Sequence, residues 1–277
     1  MSIRIVTLVE NSPGSHKGLR SEHGLSFYIE KSEKKILFDT GQSAAFLENA
    51  GKLNIDLAAL DCVCISHGHY DHSGGVRHLI KAGIRSPLVV GKGFFEEKYS
   101  AKNTTYEYVG NDFDERFLRN ASIPFREIDQ SVEEIIPGVY AVTQFKRIHP
   151  DETPVTRFKL VQKGAFEQDL FEDEILLVLD TPRGLVVLLG CSHPGWKNMI
   201  DTVRERFQKP IYAVLGGTHM VDASEKSIEE SLDYLKNGVA ELVGFSHCTG
   251  EKTEAAIIRQ IKGAFPNHTG TMVWIEG

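Results

Sequence analysis

The segment CVCISHGHYDHSGG, residues 62–75, constrains this chain more than any other. An apolar run ends at Ser66, and three histidines and an aspartate then crowd into six positions, His67 to His72. Buried polar groups on this scale are costly unless something pairs with them. Alternate residues of an extended segment project to the same side. In His-x-His, therefore, His67 and His69 can bind one ion, while Asp71 and His72 point away from them toward a second. Imidazole and carboxylate donors suit zinc and other first-row divalent ions.

The chain repeats a related local pattern, in which an apolar strand is followed by Ser or Thr, then His, with Gly close by. It occurs as VCISHG (63–68), LLGCSHPG (188–195) and LVGFSHCTG (242–250), with VLGGTHM (214–220) as a variant. In α/β sheets, ligands gather at the carboxyl ends of strands, where loops converge. Histidines far apart in sequence are thereby expected to meet in space. Zinc with three protein ligands keeps a position for water and lowers its pKa to ~7, and a pair of ions can hold a hydroxide as nucleophile. Such a centre needs no serine or cysteine nucleophile.

The surrounding pattern predicts strands at 3–10, 25–30, 34–41, 61–66, 86–92, 124–129, 138–145, 174–181, 185–190, 211–217, 240–246 and 271–277. Helices are expected at 43–51, 75–83, 197–207, 225–237 and 252–265. Hairpins combined with strand–helix alternation in both halves imply an α/β fold, a four-layer αββα sandwich of two mixed sheets with helices outside. No Pro/Gly/Ser-rich linker divides the chain, so a single domain over 1–277 is expected. Residues 93–123 and 146–172 lack periodicity and read as irregular walls of a substrate pocket.

A net charge of -7 gives no electrostatic reason to expect nucleic acid or an acidic membrane as partner. No run approaches the ~18 apolar residues of a membrane helix. The four cysteines, Cys62, Cys64, Cys191 and Cys248, form no C-x-x-C pair, and the first residues do not read as a signal peptide. Reduced thiols and a cytoplasmic location are the expectation. Oligomeric state is not readable.

SHGHYDH resembles the H-x-H-x-D-H signature of the metallo-β-lactamase-fold hydrolases, and ILFDTG (36–41) resembles the strand-Asp-Thr-Gly element that precedes it. EHGLSFYIE, LLGCSHPG, VLGGTH and SHCTG add a likeness to the branch named after a dihydropterin/ribofuranosylaminobenzene 5′-phosphate synthase. The resemblance implies a hydrolase with two divalent ions, zinc ahead of Mn²⁺ or Fe²⁺, acting on a small, phosphorylated or otherwise anionic molecule. It implies His67, His69 and His193 around the first ion, and Asp71, His72 and His247 around the second. Asp71 and His219 carry the catalytic assignment, with metal ligation the alternative for His219. Asp39 supports the metal loop through hydrogen bonds. Glu22 and His23 are expected at the mouth, and Arg147, with Lys92, Lys98 and Lys102, near an anionic group.

Many two-metal members carry a bridging aspartate where this chain has Cys191, so the second site is expected to be the weaker. Cys191 itself reads as a small buried core residue, with thiolate ligation the alternative. A nucleophile elbow is excluded because GCSHPG has one residue too many between Ser192 and Gly195. The remaining alternatives are a synthase or transferase acting on a pterin and a ribosyl-aminobenzene phosphate, and a metal-binding protein with little catalysis.

Overall fold

The computed structural model describes residues 2–153 and 155–276. One sheet has seven strands, in the order β17 (Met272–Ile275), β1 (Ile3–Val9), β2 (Ser26–Lys31), β3 (Lys34–Phe38), β4 (Cys62–Cys64), β5 (Leu88–Gly91) and β8 (Phe125–Ile128). A second has six, β16 (Leu242–Phe245), β15 (Ile211–Gly216), β14 (Gly184–Leu189), β13 (Leu176–Thr181), β10 (Val139–Val142) and β9 (Val132–Ile136). Alternating side chains of the two sheets interdigitate. Phe27, Ile29, Ile36 and Phe38 of the first meet Leu177, Leu179, Val186 and Leu188 of the second in one buried core.

The opposite faces are covered by helices. Phe46 of α1 (Ala45–Lys52), Leu79 of α3 (Val76–Lys81) and Leu118 of α4 (Glu115–Asn120) pack on the seven-stranded sheet; the single turn α2 (Tyr70–Ser73) lies just before α3. Met199 of α5 (Trp196–Phe207), Leu232 of α6 (Glu225–Lys236) and Ile257 of α7 (Glu251–Gln260) pack on the six-stranded one. This is the αββα order expected from the pattern. Helix α6 begins where Ser224 Oγ accepts the Ser227 N–H at 3.1 Å. Helix α5 is capped from a distance by Glu152, which accepts the N–H groups of Lys197 (2.8 Å) and Asn198 (2.9 Å).

Two segments expected to be irregular are ordered differently. Residues 93–123 contain the hairpin β6 (Lys98–Lys102) and β7 (Thr105–Tyr108) as well as α4, and 146–172 contain β11 (Phe158–Gln162) and β12 (Ala165–Gln168). The four strands form a third sheet, β12-β11-β6-β7. The β11–β12 turn places both Lys163 (φ 51°) and Gly164 (φ 80°) in the left-handed region that a two-residue hairpin requires. Strand β7 is exposed along its whole length, so no apolar alternation marks it. The last helix also stops at Gln260, short of 265, because Ile261 is extended.

Register places the site. Strands β14, β15 and β16 run parallel with Leu189 opposite Gly216 and Gly216 opposite Phe245. Their exits, Cys191–His193, Thr218–His219 and Ser246–His247, therefore stand side by side. In the other sheet, Phe38 faces Cys64 in parallel register, which sets Asp39 beside Ser66 and His67. The Ile175 N–H donates to Ser66 O at 2.7 Å and ties the two edges together.

Candidate metal centre

Four residues at these strand exits, Asp39 (φ 61°), Ser192 (φ 63°), His219 (φ 51°) and His247 (φ 56°), adopt left-handed backbone that L-residues seldom take. Such conformations cost about 1–2 kcal/mol each and persist where the surroundings over-determine them. Here they turn the chain sharply, so that side chains leaving different strands converge.

His67, His69, Asp71, His72, His193 and His247 are all buried and come together. His67 Nε2 faces His69 Nδ1 at 3.1 Å, and the His193 ring lies 4.9 Å and 5.0 Å from those two rings. Neither His193 nitrogen has a partner, and His69 Nε2 has none either. Buried, unpaired imidazoles in a group of three are the donors a divalent cation would satisfy. Burial first, and neighbouring histidines with it, hold all three imidazoles well below their ordinary pKa, in the neutral form that ligates.

On the other side, His72 Nε2 lies 3.1 Å from His247 Nε2 and 3.7 Å from Asp71 Oδ2, and His247 Nε2 lies 3.4 Å from Asp71 Oδ2. Asp39 orients this group. Its Oδ2 lies 2.6 Å from His72 Nδ1, and its two oxygens accept from Ser66 N (2.6 Å) and Ser66 Oγ (2.8 Å). Asn11 Oδ1 likewise meets His247 Nδ1 at 2.8 Å. Outer acceptors of this kind leave the inner nitrogens free to face an ion. Burial opposes charge on His72, but Asp39 and Asp71 outweigh it and push the imidazole up to about 9 in the metal-free protein.

Cys191 does not behave as a core residue. Its Sγ lies 3.2 Å from His72 Nε2 and 3.3 Å from His247 Nε2, inside the ligand cluster. A thiol at the end of an apolar run looks the same in sequence whether it packs or ligates, so only the register distinguishes the two.

His219 is half-buried, with its ring 4.2 Å from that of His193 and its Nδ1 unpartnered. It lines a cavity of about 410 Å³ with His193, Thr153, Arg157 and Ser224. Phe158 and Phe171 wall the first group; the Phe171 ring stacks on His193 at 3.7 Å. Arg157 lies over the Phe158 ring at 4.8 Å, with the exposed Asp222 as its ion-pair partner at 3.0 Å.

Several assignments need correction. Glu22 does not face the centre; its carboxylate accepts the N–H groups of Gln42 and Ser43, both at 3.1 Å, at the start of α1. Arg147 donates to Pro194 O (3.4 Å) and to Leu170 O, and lines a separate cavity of about 760 Å³. Lys98 is fully buried between Asp169 (3.0 Å) and Asp173 (2.9 Å), and cannot meet a soluble anion. Lys102 pairs with Glu107, and Lys92 with Asp129. His23 sits at the rim, half-exposed, its Nε2 3.2 Å from Asp71 Oδ2.

Two residues that carry no motif brace the loops. Asp173 Oδ2 accepts Gly68 N at 2.8 Å, and Glu174 accepts Ser192 N at 2.5 Å and His193 N at 2.8 Å. Adjacent acids thus hold the two histidine-bearing loops, one each. Burial pushes the Glu174 carboxyl up to about 8, against the pull of those two N–H donors.

This fold and cluster have clear relatives. The family model described as "Metallo-beta-lactamase superfamily" matches residues 20–154. The crystal structure of Tm1679, described as a metal-dependent hydrolase of the beta-lactamase superfamily, superposes with a TM-score of 0.87 at 33% identity, over 99% of this chain and 100% of that one. The chain belongs to the metallo-β-lactamase superfamily. A curated relative from Methanocaldococcus jannaschii, a "7,8-dihydropterin-6-methyl-4-(beta-D-ribofuranosyl)-aminobenzene-5'-phosphate synthase", is 29% identical across 98% of this chain and 96% of its own length. A diphosphatase from the PhnP family shares the superfamily fold at a TM-score of 0.56 and 15% identity, covering 99% of this chain and 98% of its own. Among the described residues, no helix is long and apolar enough to cross a membrane.

Proposed function

We propose that this protein is a metal-dependent hydrolase with two divalent ions, most consistent with zinc, acting on a small anionic molecule. The observation that carries the reading is the convergence of six buried side chains of ligand type, with His69 Nε2 and both His193 nitrogens unpaired. His67, His69 and His193 would hold one ion, and Asp71, His72 and His247 the other. When bound, the ions supply Lewis acidity and lower the pKa of a coordinated water. The chain's own residues do the rest. Asp39 and Asn11 orient the imidazoles of His72 and His247, and Phe158 and Phe171 exclude bulk water from the first group.

His219, on the cavity side of His193, is placed to pass a proton to a leaving group. The same cavity presents Arg157, whose exposed carboxylate partner a substrate anion can displace. This arginine takes the anion-binding role first assigned to Arg147. The acidic overall balance supports a small molecule over nucleic acid as partner, and a cytoplasmic location accords with four free cysteines.

A second reading is favoured by the likeness to the M. jannaschii synthase over nearly the full length of both chains. In it the same centre and cavity join a dihydropterin to a ribosyl-aminobenzene phosphate. The deciding experiment offers zinc-, manganese- and iron-loaded protein a panel of phosphate mono- and diesters, thioesters and lactams, and separately the pterin and ribosyl-aminobenzene phosphate pair. Metal-dependent turnover of one panel member, absent with the pair, supports the hydrolase. Condensation of the pair with an inert panel supports the synthase.

A further inference from the structure

Cys191 Sγ is the one donor atom common to both ligand groups. It falls within 4.8 Å of the ligand atoms of Asp71, His72 and His247, and equally within that distance of those of His67 and His193. The separations have chemical meaning. Ligand atoms held at ~2.0–2.3 Å from one zinc in a tetrahedron stand ~3.3–3.8 Å from each other. The group of Asp71, His72, His247 and Cys191 shows contacts of 3.1, 3.2, 3.3, 3.4 and 3.7 Å. Five of the six separations within that group therefore lie close to the edges of a coordination tetrahedron. An independent sign is that His193, on the other flank of the same sulfur, is buried with both ring nitrogens unpaired.

We infer that the Cys191 thiolate is a ligand shared by the two ions, lying between His67/His193 on one side and His72/His247 on the other. The inference rests on the two-ion reading above and adds to it a soft, anionic bridge. One consequence reverses the expectation from the sequence. With Cys191 shared, each ion would have four protein ligands, so the second site is not the weaker of the two. Thiolate also favours zinc over manganese, which prefers oxygen donors.

Cys248 is the nearest competitor for the sulfur role. Its Sγ lies 3.4 Å from Cys191 O and 3.2 Å from His219 N, so it is held by the main chain at the edge of the cluster. It belongs to a group with Cys191 and His219, but not to either group built on the H-x-H-x-D-H loop.

X-ray absorption at the zinc edge tests this directly on the full chain loaded with zinc alone. A shared thiolate gives about one sulfur per zinc at ~2.3 Å when two ions are bound. Cys191→Asp should keep both ions and lose the sulfur shell, because a carboxylate can take the bridging place. Cys248→Ala should leave the shell unchanged. About half a sulfur per zinc would make the thiolate terminal and overturn the bridge. No sulfur with two ions bound, or a shell that survives in Cys191→Asp, would remove Cys191 from the centre while leaving the two-ion reading intact. A wild-type chain that takes up fewer than two zinc ions would overturn both.

Discussion

His72 and His247 have their outer ring nitrogens fixed by side-chain oxygens, Asp39 Oδ2 at 2.6 Å and Asn11 Oδ1 at 2.8 Å. His193 has neither nitrogen fixed; its ring is stacked on Phe171 and its main chain is held by Glu174. The two halves of the centre are thus held by different means. Ring-directed bonds set both the tautomer and the aim of a ligand. Main-chain bonds and ring stacking set where the imidazole sits but not its tautomer. The second group is therefore set before an ion would arrive, whereas in the first only His67 has such a partner, Ser66 Oγ at 2.9 Å from its Nδ1, and His193 is left the adaptable member. The cavity opens on the first group, beside His193 and His219. The cavity thus opens beside the imidazole whose aim is least fixed.

This contrast can be broken or sharpened by substitution. The largest effect is expected from His67→Ala, which removes a ligand of the adaptable group. Turnover on any substrate found in the panel should vanish, with folding checked by circular dichroism. His219→Ala should lower turnover about 100-fold, the scale of a lost proton-transfer group, while metal analysis shows both ions retained. Loss of one equivalent would instead make His219 a ligand. Asp39→Asn should weaken the second ion about 10- to 100-fold, as an outer partner of a ligand does, with the first little changed, measured by competition with a chromophoric chelator. Glu174→Gln should act on the opposite half and more mildly, about tenfold on the first ion. Gln presents an amide N–H to a backbone donor, which moves the loop without removing a ligand.

How much of this could be read in advance depended on whether a residue's role leaves a periodic or local trace. The sandwich was legible because Phe27, Ile29, Ile36 and Phe38 alternate along two strands of a buried sheet. The H-x-H-x-D-H loop and the repeated Ser-His at strand ends were legible because few other roles call for that density of imidazole. Strand β7 was not, since a strand exposed on both faces needs no alternation, and its hairpin partner β6 was not, since its buried positions are the polar Lys98 and Ser100. Asp173 and Glu174 were invisible as braces because their partners are backbone N–H groups, which any sequence supplies. Cys191 was misread for the converse reason. An apolar run precedes it, and only the packing of the two sheets brings His72 and His247 to its sulfur. Glu22 was misplaced because an acid in a loop can brace a neighbouring turn, here at Gln42 and Ser43, as readily as line a mouth.

The most direct test of the central claim is the zinc content of the purified chain after reconstitution and removal of loose metal, measured by mass spectrometry alongside Asp71→Ala. The structure predicts two zinc ions per wild-type chain and one or fewer in Asp71→Ala. Two ions in both proteins, or none in the wild type, would contradict a centre built on this loop.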